Sequence, residues 1–213
     1  MEKSKVYFTN FRAKPDRNVL QKLRHLIEAA GMTSMPLEGK FTAIKMHFGE
    51  PGNLAFLRPN YAKVVVDTLK DMGARPFLTD CNTLYTGMRR NALDHLTAAF
   101  ENGFGPLQTG CHVIIADGLL GNDHVSVPID GEYCKEALIG RAAMDADAVI
   151  SLTHFKCHEG TGIGGALKMC IRDSSTSVTR WATRVALPHL GQTSITLEAS
   201  MARSFWKMPP CWP

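Results

Sequence analysis

Short apolar runs alternate with amphipathic segments along the first 168 residues, and this alternation constrains the fold more than any other feature. Helical patterns with cap and stop signals lie between most of the runs. Strands separated by helices favour parallel crossover connections. The four longer predicted strands are Thr42–Met46, Pro76–Thr79, His112–Ala116 and Ala148–Leu152. We therefore expect an α/β fold, a layered and mostly parallel sheet with helices on both faces.

The same patterns predict the remaining elements. One helix is capped by Asp16 and runs to Ala30, and a second begins at Pro59 and stops at Gly73. A third covers about residues 90–102, with Leu93, Leu96 and Phe100 facing the core. Two short strands, Val6–Thr9 and Val125–Pro128, and a helix over Lys135–Met144 complete the prediction.

Composition changes at Lys168. Up to that residue the chain has 19 Lys and Arg and 18 Asp and Glu. The last 45 residues have 5 Lys and Arg and 2 Asp and Glu, and they also contain all three Trp. Of the net charge of +4, the body thus carries +1 and the tail carries the remaining excess. A nearly neutral body without a basic stripe argues against a nucleic-acid partner. We expect one domain over residues 1–168 and little structure over 169–213.

The six cysteines contain no C-x-x-C pair, so their spacing predicts neither a zinc ribbon nor a ferredoxin cluster run. The N-terminus has no apolar stretch of signal-peptide length, and no uncharged run approaches the length of a membrane span. These features predict a cytoplasmic protein with free thiols and no membrane partner.

A titratable side chain follows each of the four longer predicted strands. These residues are His47, Asp80, Asp117 and His154. The carboxyl ends of parallel strands line one edge of an open sheet, where ligands bind. Together the four residues predict a polar crevice with two imidazoles and two carboxylates. The alternative for each one is that it caps the turn after its strand.

The turns after the second and first predicted strands add further polar groups. Asn82, Tyr85 and either Arg89 or Arg90 follow Asp80, and a guanidinium there can pair with an anion near the next helix. Capping of that helix by Thr86 is the alternative. Glu50 lies in the turn after His47 and is a fifth polar group for the crevice.

Segment 154–168 is the densest in chemistry. His154 and His158 come together whether the backbone is extended or helical, and they can hold a metal or an anionic group. Gly162, Gly164 and Gly165 fit an anion-binding backbone nest or close packing of the loop. Gly160, Gly162 and Gly165 match the letters of a dinucleotide fingerprint, but the match is weak because the first glycine comes too late after the strand. A polar surface loop is the alternative for the whole segment.

Four motifs taken together resemble the domain of unknown function 362 family. They are residues 47–53, reading His-Phe-Gly-Glu-Pro-Gly-Asn; Asp80-x-Asn82-Thr83-Leu84-Tyr85-x-Gly87; Asp117-Gly118-Leu119; and Thr153-His154-Phe155-Lys156-x-His158 with Gly164-Gly165-Ala166-Leu167-Lys168. The resemblance covers about residues 1–168. It implies an α/β domain that continues, in full-length relatives, into a ferredoxin-like segment whose cysteines bind a [4Fe–4S] cluster. Relatives are usually labelled uncharacterised iron–sulfur centre proteins.

The chain departs from the family pattern after Lys168. Relatives are expected to read Asn-Leu-Gly-Met-Gly there and then a cysteine run, whereas this chain reads Met-Cys-Ile-Arg-Asp-Ser over residues 169–174. That hexapeptide looks like a translation of the mosaic-end adapter used in transposon-based library preparation. Residues 169–213 are therefore predicted to be a chimeric, adapter-derived tail, with the sheet truncated at its C-terminal side. A divergent native tail is the alternative.

Three hypotheses for function follow. The first is a fragment of an iron–sulfur centre protein with a redox or electron-transfer role, whose cluster cysteines are absent from this chain. Its site would comprise His154, Lys156, His158 and Lys168 as proton donors or substrate ligands, next to the crevice residues. The second is a metal-dependent enzyme in which His154 and His158, with Asp80 or Asp117, hold a divalent metal for hydrolytic or isomerising chemistry on an anionic small molecule. The third is a module that binds a small anionic ligand or a redox partner protein without chemistry, so the sequence does not decide whether the protein is an enzyme.

Overall fold

The computed structural model describes residues 5–128, 135–155, 157–158, 162–163, 165–166 and 194–199. Its main sheet has five parallel strands in the order β3-β2-β1-β6-β9. These strands are β1 (Phe41–Lys45), β2 (Arg75–Asp80), β3 (Val113–Ile115), β6 (Ala148–His154) and β9 (Ser194–Ala199). The predicted α/β class and mostly parallel sheet are confirmed.

Three longer helices pack on one face of the sheet. They are α1 (Val19–Ala29), α2 (Pro59–Asp71) and α3 (Ala92–Glu101). A 3₁₀ helix at Met32–Ser34 follows α1, and the one-turn helix α4 (Pro106–Thr109) follows α3. Ile44, Leu78 and Ile150 from the three central strands form one buried cluster with Val65 and Leu69 of α2. This cluster is the main core, and the strand residues that alternate with it point to the opposite face.

A small antiparallel hairpin packs in a second hydrophobic cluster, separate from the main core. Strands β4 (His124–Pro128) and β5 (Glu136–Gly140) pair with each other, and the one-turn helix α5 (Arg141–Met144) follows. Val127, Ala137 and Ile139 pack with Cys81 and Ala116 at the carboxyl ends of β2 and β3. The helix predicted over residues 135–144 is therefore wrong in its first half. Ala137 and Ile139 alternate as in a strand, and so short an apolar run does not distinguish strand from helix.

Three finer predictions at the amino-terminal side and in α3 are also wrong. Residues 6–9 form no strand, because Val6 and Phe8 lie exposed without a neighbouring strand among the described residues. Asn18 caps α1 in place of Asp16, and its side chain accepts from the Gln21 N–H in a capping box. In α3 the buried residues are His95, Ala98 and Ala99, whereas Leu93 and Phe100 are exposed.

Beyond His154 the structure describes short pieces only. Strands β7 (Cys157–His158) and β8 (Gly162–Ile163) pair antiparallel, so the backbone at His158 is extended. Within residues 169–213, strand β9 pairs in parallel with β6 from Val149 to His154. No helix among the described residues is long and apolar enough to cross a membrane.

Candidate functional site

The carboxyl ends of β1 and β6 form the point at which the sheet changes direction. From β1 the chain adds β2 and then β3 on one side, whereas β6 pairs with the other side of β1. Ligands of open α/β sheets bind in the crevice outside such a switch point. His47 follows β1 and His154 ends β6, so the fold brings these two predicted residues to the two sides of the switch point. Both are half-buried.

The turn after β1 orients the imidazole of His47. The Gly49 N–H donates to His47 Nδ1 over 2.8 Å. Because Nδ1 accepts, the neutral ring carries its proton on Nε2 and presents an N–H donor there. Gly49 has a φ of +84°, which glycine adopts without strain.

Asp80 is the centre of a buried ionic network at the end of β2. Its Oδ1 accepts from Lys45 Nζ over 2.7 Å and from the Cys81 N–H over 2.9 Å. Its Oδ2 lies 3.4 Å from Arg89 Nη1. Asp80, Lys45 and Arg89 are at most 2% exposed. Asp80 therefore neutralises two buried cations.

The charges around Asp80 decide its protonation. Burial by itself raises the pKa of the Asp80 carboxyl, but Lys45, His95 and Arg89 outweigh it and hold that pKa well below its usual range. For Arg89 burial favours the neutral form, and the carboxylate of Asp80 leads the groups that raise the pKa of the guanidinium instead. The pair is ionised at neutral pH.

Arg89 also joins the turn after β1 to the turn after β2. Its Nε donates to Glu50 Oε1 over 2.6 Å, and its Nη2 donates to the Tyr85 hydroxyl. The Tyr85 hydroxyl donates to the same Glu50 oxygen over 3.3 Å. Arg89 thus brings the predicted residues Glu50, Asp80 and Tyr85 together. Its guanidinium pairs with carboxylates of the protein, whereas the sequence predicts that it pairs with an anion near the next helix.

Sequence reasoning missed Lys45 and His95 in this network. His95 of α3 is fully buried, with Nε2 3.6 Å from Asp80 Oδ2 and its ring edge against Phe48. A lysine inside the apolar run Ala43–Met46 was the available signal, because a buried lysine needs a partner. His95 was missed because the prediction placed the side of α3 with Leu93, Leu96 and Phe100 toward the core, and His95 is not on that side.

A second polar contact joins β2 to β3. Asp117 accepts from the Asn82 backbone N–H and from Asn82 Nδ2, each over about 3.0 Å at Oδ1. Asn82 Nδ2 also donates to the Gly118 carbonyl over 2.8 Å. Burial raises the pKa of the Asp117 carboxyl, and the hydrogen bonds from Asn82 oppose this. Asn82 and Asp117 thus meet at the ends of β2 and β3, and strand β1 lies between β2 and the strand β6 that ends at His154.

The predicted residues of the glycine-rich segment are only partly described. His158 lies in β7 and Gly162 in β8, opposite each other in the pairing, and Gly165 is buried with a φ of +101°. Lys156, Gly164 and Lys168 lie outside the described residues, as does the side chain of His158. The predicted metal pair of His154 and His158 therefore stays a prediction.

The described residues do not supply ligands for an iron–sulfur cluster. No group of three or more His, Cys, Asp or Glu side chains among them is placed to hold a metal ion. The side chains of Cys81 and Cys111 are buried in different hydrophobic clusters. Burial raises the pKa of the Cys111 thiol, which opposes the thiolate that a cluster needs.

Comparison with known protein families decides the membership of this chain. Residues 42–176 match the family described as Domain of unknown function (DUF362). The chain belongs to the DUF362 family. The match contains all four motifs at the strand ends, and it extends beyond Lys168, where the sequence predicts the domain boundary. The iron–sulfur label that the resemblance implies stays a prediction.

Among solved structures, this DUF362 member is similar to a structure of the lactate racemase apoprotein from Thermoanaerobacterium thermosaccharolyticum. The two chains are 15% identical, with a TM-score of 0.41, and the similarity covers 78% of this chain and 34% of the other. This chain thus spans about a third of the length of the structure it matches. No curated protein matches its sequence.

The cysteine arrangement gives a prediction about cofactor content. We expect the 213-residue chain, purified anaerobically and treated with iron and sulfide, to show no visible absorbance of a [4Fe–4S] cluster after desalting, because no three cysteines have cluster spacing. Iron and acid-labile sulfide analysis checks this result. Four iron and four sulfide ions retained per chain would contradict it.

Proposed function

We propose that this domain binds a small anionic ligand at the carboxyl edge of the sheet, between β1 and β6. The observation that carries the proposal is the pair His47 and His154 on the two sides of the switch point. Imidazole is the side chain whose charge changes most readily near neutral pH, and even the neutral His47 presents Nε2–H as a donor. Both features favour an anion.

The ionic network supports this function by fixing the loops around the crevice. Glu50 lies in the turn after β1 and Arg89 lies beyond β2, and their bond holds the two turns together. Arg89 in turn is held by the buried carboxylate of Asp80. A site whose walls are fixed before binding loses less free energy on ordering. These residues therefore position the site and need not touch the ligand.

In the whole protein, the ligand would be the substrate or partner group of a redox reaction. This part of the proposal rests on the resemblance, which implies a [4Fe–4S] cluster in full-length relatives. The described residues do not fit such a cluster, so the cluster would be bound by a segment outside them. The contribution of this domain would be to bind and orient the anion.

A histidine substitution tests the proposal. We expect His154→Gln to weaken the binding of inorganic phosphate about tenfold, because a hydrogen bond to a charged ligand contributes about 1.5–3 kcal/mol. Isothermal titration of the full chain measures the affinity. His25→Gln is the matched control, since His25 is exposed within α1 and does not follow a strand of the sheet.

Two results would contradict the proposed function. One is phosphate affinity that His154→Gln leaves unchanged. The other is binding at the cavity of about 460 Å³ near the opposite edge, which Arg24, Thr33, Glu38 and Asp71 line with apolar neighbours. An Arg24→Gln variant that abolishes binding would place the anion in that cavity.

A further inference from the structure

A row of polar side chains crosses the second face of the sheet at the switch point. Thr79, Lys45 and Ser151 are register partners on β2, β1 and β6, so their side chains point to the same face, with neighbouring strands about 4.8 Å apart. Thr153 lies two residues beyond Ser151 and points the same way. Their exposed fractions are between 1% and 9%. The face opposite the three helices is therefore polar and buried where β1 and β6 end.

Two hydroxyls of this row have no hydrogen-bond partner among the described residues. Ser151 Oγ and Thr153 Oγ1 are buried and make no hydrogen bond in the part of the chain that the structure describes. Thr79 differs, because its hydroxyl donates to the Ile114 carbonyl over 2.7 Å. Buried hydroxyls are normally paired, and an unpaired one destabilises the fold. Two such hydroxyls on one strand, beside a buried ammonium, indicate a missing partner.

We propose that Ser151, Thr153 and Lys45 form the floor of the anion site and bind the oxyanion group of a small carboxylate or phosphate ligand. This inference rests on the proposed function and names the groups that hold the ligand. The two hydroxyls donate to the ligand oxygens, and the Lys45 ammonium faces their negative charge. Asp80 holds the ammonium through a hydrogen bond of 2.7 Å.

The surroundings of the row define the class of ligand. A metal cation is disfavoured beside the Lys45 ammonium, whereas hydroxyl and ammonium donors together suit an oxyanion. Two residues earlier on these strands the same face is apolar, with Ala43 and Phe77 in a buried cluster against which Val149 packs. The polar floor is therefore shallow. It holds the charged group of the ligand at the strand ends, where His47 and His154 also lie.

Isosteric substitutions test this floor. We expect Thr153→Val, and the pair Ser151→Ala with Thr153→Val, to weaken binding about tenfold and about a hundredfold, since each removes a donor to a charged group. Thr42→Val is the matched control. Thr42 is also buried with an unpartnered hydroxyl, but it lies on the helix-covered face at the amino end of β1. It should bind as the unchanged chain does.

Inorganic phosphate and acetate serve as separate probes in isothermal titration of the full chain. Binding of phosphate alone assigns a phosphoryl group, and binding of acetate alone assigns a carboxylate. If His154→Gln weakens binding but Thr153→Val and the double variant do not, the floor is wrong and the proposed function stands. If neither probe binds the unchanged chain, both proposals fail. Thermal unfolding of each variant verifies that it is folded.

Discussion

Replacing Asp80 by asparagine is expected to lower the free energy of unfolding by about 3–5 kcal/mol, the usual cost of removing one partner from a buried ion pair. The substitution hardly changes volume, so packing is not the cause. It removes the negative charge that Lys45 and Arg89 share, at distances of 2.7 and 3.4 Å. Two cations that are about 2% exposed then lie next to a neutral amide.

Urea denaturation measures this effect through a lower midpoint at unchanged slope. The matched control is Asp67→Asn on α2, which breaks the exposed pair between Lys63 and Asp67 four residues apart. We expect the control to change the free energy of unfolding by no more than about 0.5 kcal/mol. Equal effects of the two substitutions would show that the buried network is not a source of stability.

Asp80 also predicts the dependence of stability on pH. The pKa of its carboxyl is lower in the folded than in the unfolded chain. Its contribution is therefore complete above the ordinary carboxyl pKa of about 4 and is lost as the pH falls toward the folded value. Asp117 acts in the opposite direction, because its folded pKa is raised. The free energy of unfolding of the Asp80→Asn variant should consequently fall less steeply below about pH 4 than that of the unchanged chain. The same steepness in both proteins would contradict this.

Replacing Gly49 by alanine is expected to be the second most damaging change, at about 2–5 kcal/mol. The φ of +84° costs an alanine about 1–2 kcal/mol. A Cβ there would also lie 2.6 Å from Phe56 Cδ1 and 2.8 Å from Asn102 Nδ2, and such overpacking adds about 1–3 kcal/mol. Asn102 Nδ2 donates to the Phe48 carbonyl, so relief of the clash moves the turn that holds His47.

Gly52 in the same turn provides the control for Gly49. Its φ is +81°, but a Cβ would meet nothing within 4 Å. Gly52→Ala should therefore show the backbone cost alone, about 1–2 kcal/mol. Urea denaturation of both variants measures the difference. If Gly49→Ala is no worse than Gly52→Ala, then close packing of this turn is not what positions His47.

The parts of the fold with strong local signals could be predicted from the sequence. Pro59 and Gly73 delimit α2, and the parallel strands β1, β2, β3 and β6 are predicted because each is an apolar run followed by a polar residue. The fifth parallel strand, β9, lies in the tail for which the sequence predicts little structure. Strand β5 could not be found in this way. Its identity depends on pairing with β4, from His124 opposite Gly140 to Pro128 opposite Glu136, and local periodicity does not contain that information.

The candidate site shows the same division. That His47, Asp80, Asp117 and His154 follow strand ends is a local property, so the sequence predicts their common edge. The partner of Arg89 is not local, because Glu50 lies 39 residues away along the chain. An arginine expected to bind an anion thus pairs with carboxylates of the protein. The hydroxyls of Ser151 and Thr153 gave no signal, since serine and threonine inside a strand are unremarkable until their burial is known.

Histidine ring resonances give the most direct test of the central claim that an anion binds between β1 and β6. The full chain is titrated with inorganic phosphate while its eight histidines are followed by NMR, with each ring assigned by a single substitution. We predict that the rings of His47 and His154 shift together with one dissociation constant, while the exposed His25 and His112 keep their positions. Unchanged resonances of His47 and His154 at phosphate concentrations that saturate binding would contradict the account.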